Sequence, residues 1–431
     1  MTERTIKVDY LARVEGEGAL HVRIHDRTVA ECELRIFEPP RFFEAFLRGR
    51  NFAEAPDITA RICGICPVAY QMSSCHALER ALGLQVGGTL RELRRLLYCG
   101  EWIESHALHI YLLHAPDFLG YPDAIQMARD HAYVVKRGLA LKKAGNSIMR
   151  VLGGREIHPI NVRVGGFYRC PSPEEFDALR GEVTEALALA EETVRFVAGF
   201  PFPDVEEDYE FVAVRHPNEY PLNEGRIDSS SGVSIDAEEY EGTFEEVHEP
   251  YSNALHSVHK GAGSYLVGPL ARYALNSDRL LPRAKAAARD VGLEPIVRNP
   301  FKSVIVRAVE TVHACEEALQ IMDHYRLPDQ PWVEPHLPGR PTHGAAATEA
   351  PRGLLYHRYE LDAEGHITFA KIVAPTSQNQ KRIEDDVRHL VGRSLDLDDA
   401  GLTFQCERAI RNHDPCISCA THFLNLDLVR D

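Results

Sequence analysis

Arg61-Ile-Cys-Gly-Ile-Cys-Pro67 and Asp414-Pro-Cys-Ile-Ser-Cys-Ala-Thr-His422 each carry a Cys-x-x-Cys pair, and the two stand at opposite ends of a chain of 431 residues. One such pair alone is weakly informative, because it fits half a zinc ribbon, a thioredoxin-type redox couple or a surface accident. Paired zinc motifs of small modules lie about 15 to 20 residues apart. Here 350 residues separate Cys66 from Cys416, so a shared site has to be assembled by the whole fold. Four thiolates, from Cys63, Cys66, Cys416 and Cys419, favour nickel, zinc, copper(I) or an iron–sulfur centre over magnesium or calcium. The two quoted stretches therefore predict a large fold closed around one buried, soft metal site.

Composition narrows the setting. The formal charge is −16, from 64 acidic and 48 basic residues, and it is spread along the chain without the basic stripe that a phosphate backbone requires, so nucleic-acid binding is disfavoured. The first ten residues, Met1-Thr-Glu-Arg-Thr-Ile-Lys-Val-Asp-Tyr10, lack the apolar core of a signal peptide. No run approaches the roughly 18 apolar residues of a membrane span, and a cytoplasmic subunit is expected. Ten cysteines in that compartment are expected to be reduced. Cys32, Cys75, Cys99, Cys170, Cys315 and Cys406 are isolated and read as small buried hydrophobes.

Helical periodicity marks residues 89–114, where Leu90, Leu93, Leu97, Ile103 and Ala107 share a face, and also 122–152 and 302–325. A further helix starts at Ser172-Pro-Glu-Glu175, a capping box with proline at the first helical position, and runs to about Phe196. Alternation at 6–10, 19–24, 32–37 and 209–214 predicts peripheral strands, and 356–361 with 366–373 flank a turn as a hairpin. Residues 218–250 are acidic with little apolar periodicity and read as a surface excursion; the five prolines in 328–344 read as an extended connector. The expected class is α+β, mainly α: a single domain over residues 1–431 with a long-helix bundle at its centre and small peripheral β elements.

Other pieces stand between the two cysteine pairs: Arg13-Val-Glu-Gly-Glu-Gly18, Arg41-Phe-Phe-Glu44, Gly153-Gly-Arg-Glu-Ile-His-Pro159, Val267-Gly-Pro-Leu-Ala-Arg272, Glu349-Ala-Pro-Arg-Gly353 and Ala374-Pro-Thr376. Taken in order, they resemble the large, catalytic subunit of nickel–iron hydrogenases over nearly the full length, and most of all its cytoplasmic, NAD(P)-linked, sulfhydrogenase-type branch. The resemblance implies that fold and the interconversion of H2 with two protons and two electrons, with polysulfide as a further conceivable acceptor. It implies that Cys63 and Cys416 bind nickel terminally while Cys66 and Cys419 bridge nickel to iron. The iron would carry carbon monoxide and two cyanides, cradled by Pro351, Arg352, Pro375 and Thr376. Arg352 would lie over the open face of the metals, held by Asp117 and Asp414, and Glu15 would relay the proton from the Cys416 sulfur. Glu44, the backbone carbonyl of Ile372 and His422 match a second site for Mg2+.

Two departures from the family pattern stand out. Tyr70 occupies a position where many members have His, which predicts altered hydrogen bonding beside the iron ligands. Residues 423–431 follow the His at which many relatives are cut during maturation. The remaining cysteines cannot hold an iron–sulfur relay, and no Gly-x-Gly-x-x-Gly fingerprint is present. The resemblance accordingly implies an iron–sulfur small subunit, flavin-bearing NAD(P) diaphorase subunits and maturation factors as partners. Two rival readings use the same cysteines or fold: a structural zinc tetrathiolate, and a homologue without hydrogen chemistry resembling the quinone-site subunit of respiratory complex I.

Overall fold

A computed structural model of the chain describes residues 3–337 and 339–421; His422 and the 423–431 tail lie outside the described residues. The chain opens with an antiparallel meander of β1 (Glu3–Val8), β2 (Gly18–His25) and β3 (Thr28–Ile36). Strand alternation turns Leu20, Val22 and Ile24 of β2 and Cys32, Leu34 and Ile36 of β3 into the core.

The centre is built from long helices: α1 (Pro67–Leu82), α2 (Gly88–Leu108), α3 (Ala132–Gly153), α4 (Pro173–Ala198) and α5 (Ser303–His324). α2 packs against α3 and α5, and α5 against α4. α1 and α5 are buried almost all round, as helices at the middle of a large domain must be. The close α2–α3 crossing depends on glycine: a Cβ on Gly145 would stand 2.5 Å from the Gly100 carbonyl oxygen. At its end α2 passes through a π-helical turn, His109–His114, into the short helix Ala115–Leu119. A π-helical turn shifts the helical register, and here it lies directly ahead of the helix that carries Asp117.

A second meander, β4 (Thr342–Ala350), β5 (Gly353–Leu361) and β6 (Ile367–Val373), lies against α1, and α6 (Pro375–Arg393) and α7 (Asp399–Asn412) complete the described chain. Ala350 pairs with Gly353, so Pro351 and Arg352 are the two central residues of a tight hairpin turn. One continuous apolar cluster runs from Ile6 to Ala420.

The expected long helices and hairpin are present, and Ser172 and Glu175 form the capping box. Three expectations need correction. The helix over 122–152 is two helices, Ala124–Asp130 and α3, broken at His131. Strand β4 was not expected, because its Gly-Ala-Ala-Ala core has low strand propensity. Small residues are required there: a Cβ on Gly344 would meet the Ala77 oxygen and the Ala81 nitrogen of α1 at 2.4 Å. The acidic 218–250 stretch is not a bare excursion. It carries the strands Arg226–Ser229, Ser234–Ile235 and Phe244–Val247, and buries Ile227, Ala237, Tyr240 and Phe244 in a small core with Tyr265, Leu354 and Tyr356. Its apolar residues fall in short strands and turns, so no period links them.

Candidate metal centre

The first cysteine loop is shaped by its neighbours. Cys63 follows the 3-10 turn Ala60–Ile62 in an extended conformation, and Cys66 caps α1 with Pro67 at the first helical position. The backbone N–H groups of Ile65 and Cys66 both donate to the Cys63 sulfur at 3.3 Å. The next two free N–H groups of α1, on Val68 and Ala69, donate to the buried Glu101 carboxyl of α2 at 2.6 and 3.1 Å.

Distant parts of the chain shape the second loop. Asp414, at φ 52°, turns the chain after α7 into Pro415 and Cys416. Cys416 forms a parallel bridge with Glu15, and the Ile417 N–H donates to the Glu15 carbonyl at 2.9 Å. The Cys416 N–H donates to the Thr376 hydroxyl oxygen at 3.0 Å, where α6 begins. Arg41 spans the two loops, donating to the Ile62 carbonyl at 2.7 Å and to that of Ser418.

The loops bring all four sulfurs within 4.8 Å of one another, with Cys63–Cys416 at 3.5 Å and Cys66–Cys419 at 3.7 Å. Each cysteine is at most 3% exposed. Among the described residues no other group of three or more His, Cys, Asp or Glu side chains converges in this way. Hydrogen bonds from Cys416, Cys419 and Cys66 hold the Cys63 thiol well below its usual pKa, whereas burial pushes those of Cys416 and Cys419 up. Without a cation the cage thus sustains little negative charge. A divalent metal ion would let the set ionise together, and the donor chemistry fits nickel and iron.

Charged groups flank the cage on two sides. Arg352, 3% exposed, donates from Nε to the Asp414 carbonyl at 2.7 Å and from Nη2 to the Asp414 carboxylate at 3.1 Å, with Ser105 Oγ 3.5 Å from Nη1. Burial works against its charge, but Asp414 and the sulfurs of Cys416, Cys66 and Cys63 more than offset this and raise its pKa. On another side Glu15 accepts from the Cys416 thiol at 3.1 Å through Oε2 and from the Ser418 hydroxyl at 2.5 Å through Oε1. Burial, followed by the Cys63 charge, raises its pKa. Further out, Glu44 accepts from the Ile372 N–H at 2.8 Å, and burial pushes its carboxyl up to about 7.

A family model described as nickel-dependent hydrogenase matches residues 41–140 and 264–422, spanning both cysteine loops. The chain belongs to the nickel-dependent hydrogenase family. It is similar to the sulfhydrogenase 1 subunit alpha of Pyrococcus furiosus, at 34% identity over 98% of both chains. It is also similar to the NAD-reducing hydrogenase HoxS subunit beta of Cupriavidus necator, at 29% identity over 98% of this chain and 95% of the relative. The structure of an NAD+-reducing [NiFe]-hydrogenase in the H2-reduced state superposes with a TM-score of 0.87 at 28% identity, covering 97% of this chain and 99% of that one. This hydrogenase chain is a catalytic subunit, an oxidoreductase acting on H2. The zinc-protein and complex I-like readings gain no support. No helix of the described residues is long and apolar enough to cross a membrane.

Within the hydrogenase fold, most of the residues singled out in the sequence gather at the cage: Glu15, Arg352, Asp414 and Thr376 touch it or each other, and Pro351 and Pro375 flank Arg352 and Thr376 in the chain. His422 lies outside the described residues. Asp117 is placed differently from expectation, because its hydrogen bonds do not go to Arg352. It accepts from Arg411 at 2.8 and 3.0 Å, from Arg13 at 2.5 Å and from His114 at 3.2 Å. Arg411 in turn donates to the Ala12 carbonyl at 3.0 Å. Asp117 therefore ties the segment leading into Glu15 to the segment leading into Asp414. Burial opposes its charge, but hydrogen bonds from His114 and Arg411 hold its carboxyl well below the usual range.

Tyr70 is wholly buried, with its ring centroid 5.8 Å from that of His357. Its hydroxyl finds no nitrogen or oxygen partner and faces the Cys419 sulfur; burial, then the charge on Cys419, pushes its pKa well above 10. It is a neutral donor. The isolated Cys75 is buried and its thiol is pushed far up by burial, which makes it inert. Sequence reasoning gave no role to Glu101, nor to Ser418 and Arg41, although the last two stand in quoted motifs. Glu101 did leave a signal, since it falls four residues after Leu97 on an otherwise apolar stripe.

Proposed function

We propose that this subunit splits and forms H2 heterolytically at a nickel–iron centre whose iron carries one carbon monoxide and two cyanides. Cys63, Cys66, Cys416 and Cys419 would together hold the nickel–iron pair. When bound, the metal pair supplies a Lewis acid for the hydride half of H2 and the redox equivalents for its electrons. The observation that carries the reading is the Cys416–Glu15 contact of 3.1 Å beside the four-sulfur cage.

Glu15 receives the proton from the Cys416 sulfur. A carboxyl group whose pKa is raised by burial holds a proton more readily than a free carboxylate does, which suits it to take that proton and pass it on. Arg352, fixed by Asp414, holds a permanent positive charge at the cage where it polarises incoming H2, and its buried position strengthens that field. Asp117 supports both arms from behind through Arg13 and Arg411. Pro351 and Pro375 offer an apolar wall to carbon monoxide, while Arg352 and Thr376 offer polar groups to cyanide. Glu44, the Ile372 carbonyl and His422 would hold Mg2+, a hard cation suited to oxygen ligands.

Electrons have to leave through a partner, because the remaining cysteines are scattered and cannot bind a cluster. An iron–sulfur small subunit is the natural recipient. The likeness to a chain named as NAD-reducing supports flavin-bearing NAD(P) subunits beyond it, in a cytoplasmic complex served by maturation factors. The likeness to sulfhydrogenases supports testing polysulfide as a second acceptor. The deciding experiment is an infrared spectrum of the purified complex in the window where polypeptide is nearly silent. One strong carbonyl band with two weaker cyanide bands is the expected result. A fully matured preparation with zinc and no such bands would overturn the proposal.

A further inference from the structure

The Val267-Gly-Pro-Leu-Ala-Arg272 motif takes no part in the chemistry above, yet its arginine is buried and bound through every donor it has. Arg272 uses all five of its N–H groups. Nε and Nη2 clasp the two oxygens of Glu310, each at 2.8 Å; Nη1 donates to Glu349 at 3.0 Å and to the Ala350 carbonyl at 2.8 Å; Nη2 also donates to the Pro351 carbonyl at 2.8 Å. Arg272, Glu310 and Glu349 are all 0% exposed. Glu310 is itself held by the Tyr220 hydroxyl at 2.7 Å and by His106 at 3.0 Å. The guanidinium lies 4.4 Å from the centre of the Trp102 ring, whose N–H donates to the Glu349 carbonyl at 3.0 Å.

The consequence lies one residue further on. The carbonyls of Glu349, Ala350 and Pro351 are three successive peptide groups leading into Arg352, and each is pinned by this cluster. The helix that carries Arg272, Pro269–Asn276, begins directly behind the turn: Gly268 sits at φ 108°, and a Cβ there would stand 2.7 Å from the Arg352 carbonyl oxygen. A buried ionic cluster is a poor way to gain stability, since apolar residues of equal volume commonly do as well. What it can provide is a fixed location. Arg352 occupies a two-residue turn, and the hydrogen bonds of its own side chain go to Asp414 and Ser105. A misplacement of about 1 Å in such a group costs up to about a hundredfold in rate.

We propose that Arg272, locked by Glu310, is a positioning residue that sets where Arg352 stands over the metal cage. The proposal rests on the reading of Arg352 given above. The test compares Arg272→Lys, Arg352→Lys and the double variant in the whole complex, with turnover per nickel and infrared band positions as readouts. Arg272→Lys is expected to retain the metals, to shift or broaden the carbonyl and cyanide bands and to lower turnover per nickel about tenfold or more. The double variant is expected to be no slower than Arg352→Lys alone, because both changes remove one function. Unshifted bands with normal turnover per nickel, or rate losses that multiply in the double variant, would overturn the proposal. Should Arg272→Lys fail to assemble, Tyr220→Phe decides, since it removes a single hydrogen bond to Glu310. A small band shift with a two- to threefold loss supports the proposal, and an unchanged spectrum and rate overturn it. Full turnover in Arg352→Lys would instead sink the reading on which the proposal rests, whatever Arg272 does.

Discussion

The two cysteine loops carry the same Cys-x-x-Cys spacing but are built in opposite ways. The Cys63–Cys66 loop is shaped by its own N–H groups and by Glu101, 33 residues from Val68. The Cys416–Cys419 loop is shaped by Glu15, 401 residues away, by Thr376 and by Arg352, with Asp414 forced to a positive φ to make the turn. The first loop is a local structure that happens to end at a metal site. The second has local bonds of its own, from the Cys419 N–H to the Cys416 carbonyl and from the Ala420 N–H to the Ile417 carbonyl, but its place in the fold is fixed by groups far away in the chain. The second loop is thus the one that meets both Glu15 and Arg352, on two sides of the cage.

Replacing a ligand should erase the contrast. Cys419→Ser and Cys66→Ser are both expected to lose nickel, iron and hydrogen uptake together, checked by metal analysis and gas uptake; a variant that keeps normal metal content would break the four-ligand cage. Replacing a neighbour should restore it. Glu15→Gln is expected to keep the metals and slow hydrogen–deuterium exchange by roughly a hundredfold or more, the scale of a lost acid–base group. Full-rate exchange in that variant would remove Glu15 from the proton path. Thr376→Val leaves the buried Cys416 N–H without its acceptor, and Glu101→Gln leaves one of the Val68 and Ala69 N–H groups facing an amide NH2, so each is expected to cost about 1–3 kcal/mol. Thermal unfolding of the complex checks both, and an unchanged melting temperature in either variant would remove that contact from the frame of its loop.

The mildest effect concerns Glu44, which meets Ile372 of β6. Burial pushes its carboxyl up to about 7 from an ordinary 4.5, so without a cation its contribution to stability is present below pH 4.5 and is lost as pH rises through 7. A divalent cation displaces that proton, so cation affinity should rise with pH up to about 7 and then level off. Magnesium added after chelation should raise the melting temperature more at pH 8 than at pH 6. Equal protection at both would exclude Glu44 as a ligand.

The ligands were legible because cysteine spacing and a short local motif coexist in each loop, and Glu15, Arg352 and Thr376 because each sits in a motif of its own. The contacts that make those residues work were not legible. Ser418 meets Glu15 across 403 residues, and Asp117 meets Arg411 across 294, pairings that leave no period or spacing in the chain. Asp117 was assigned to Arg352 on the resemblance alone, and no sequence period registers the π-helical turn that precedes it. Strand β4 was missed for a related reason: its alanines suit the backbone of α1, which is a demand of packing and not of propensity.

The long reach of the second loop has a consequence for how the cage comes into being. Loop-closure entropy grows only logarithmically, so bringing Cys63 to Cys416 over 353 residues costs about 2–3 kcal/mol more than closing a 20-residue zinc module. That is a modest equilibrium burden. The delay is kinetic, because contacts of such high sequence separation form last in a slow, non-local topology. Until they form, Cys63 and Cys66 can present two sulfurs to any soft ion that arrives first. The order in which metals are offered, and not affinity alone, then decides what the finished cage contains.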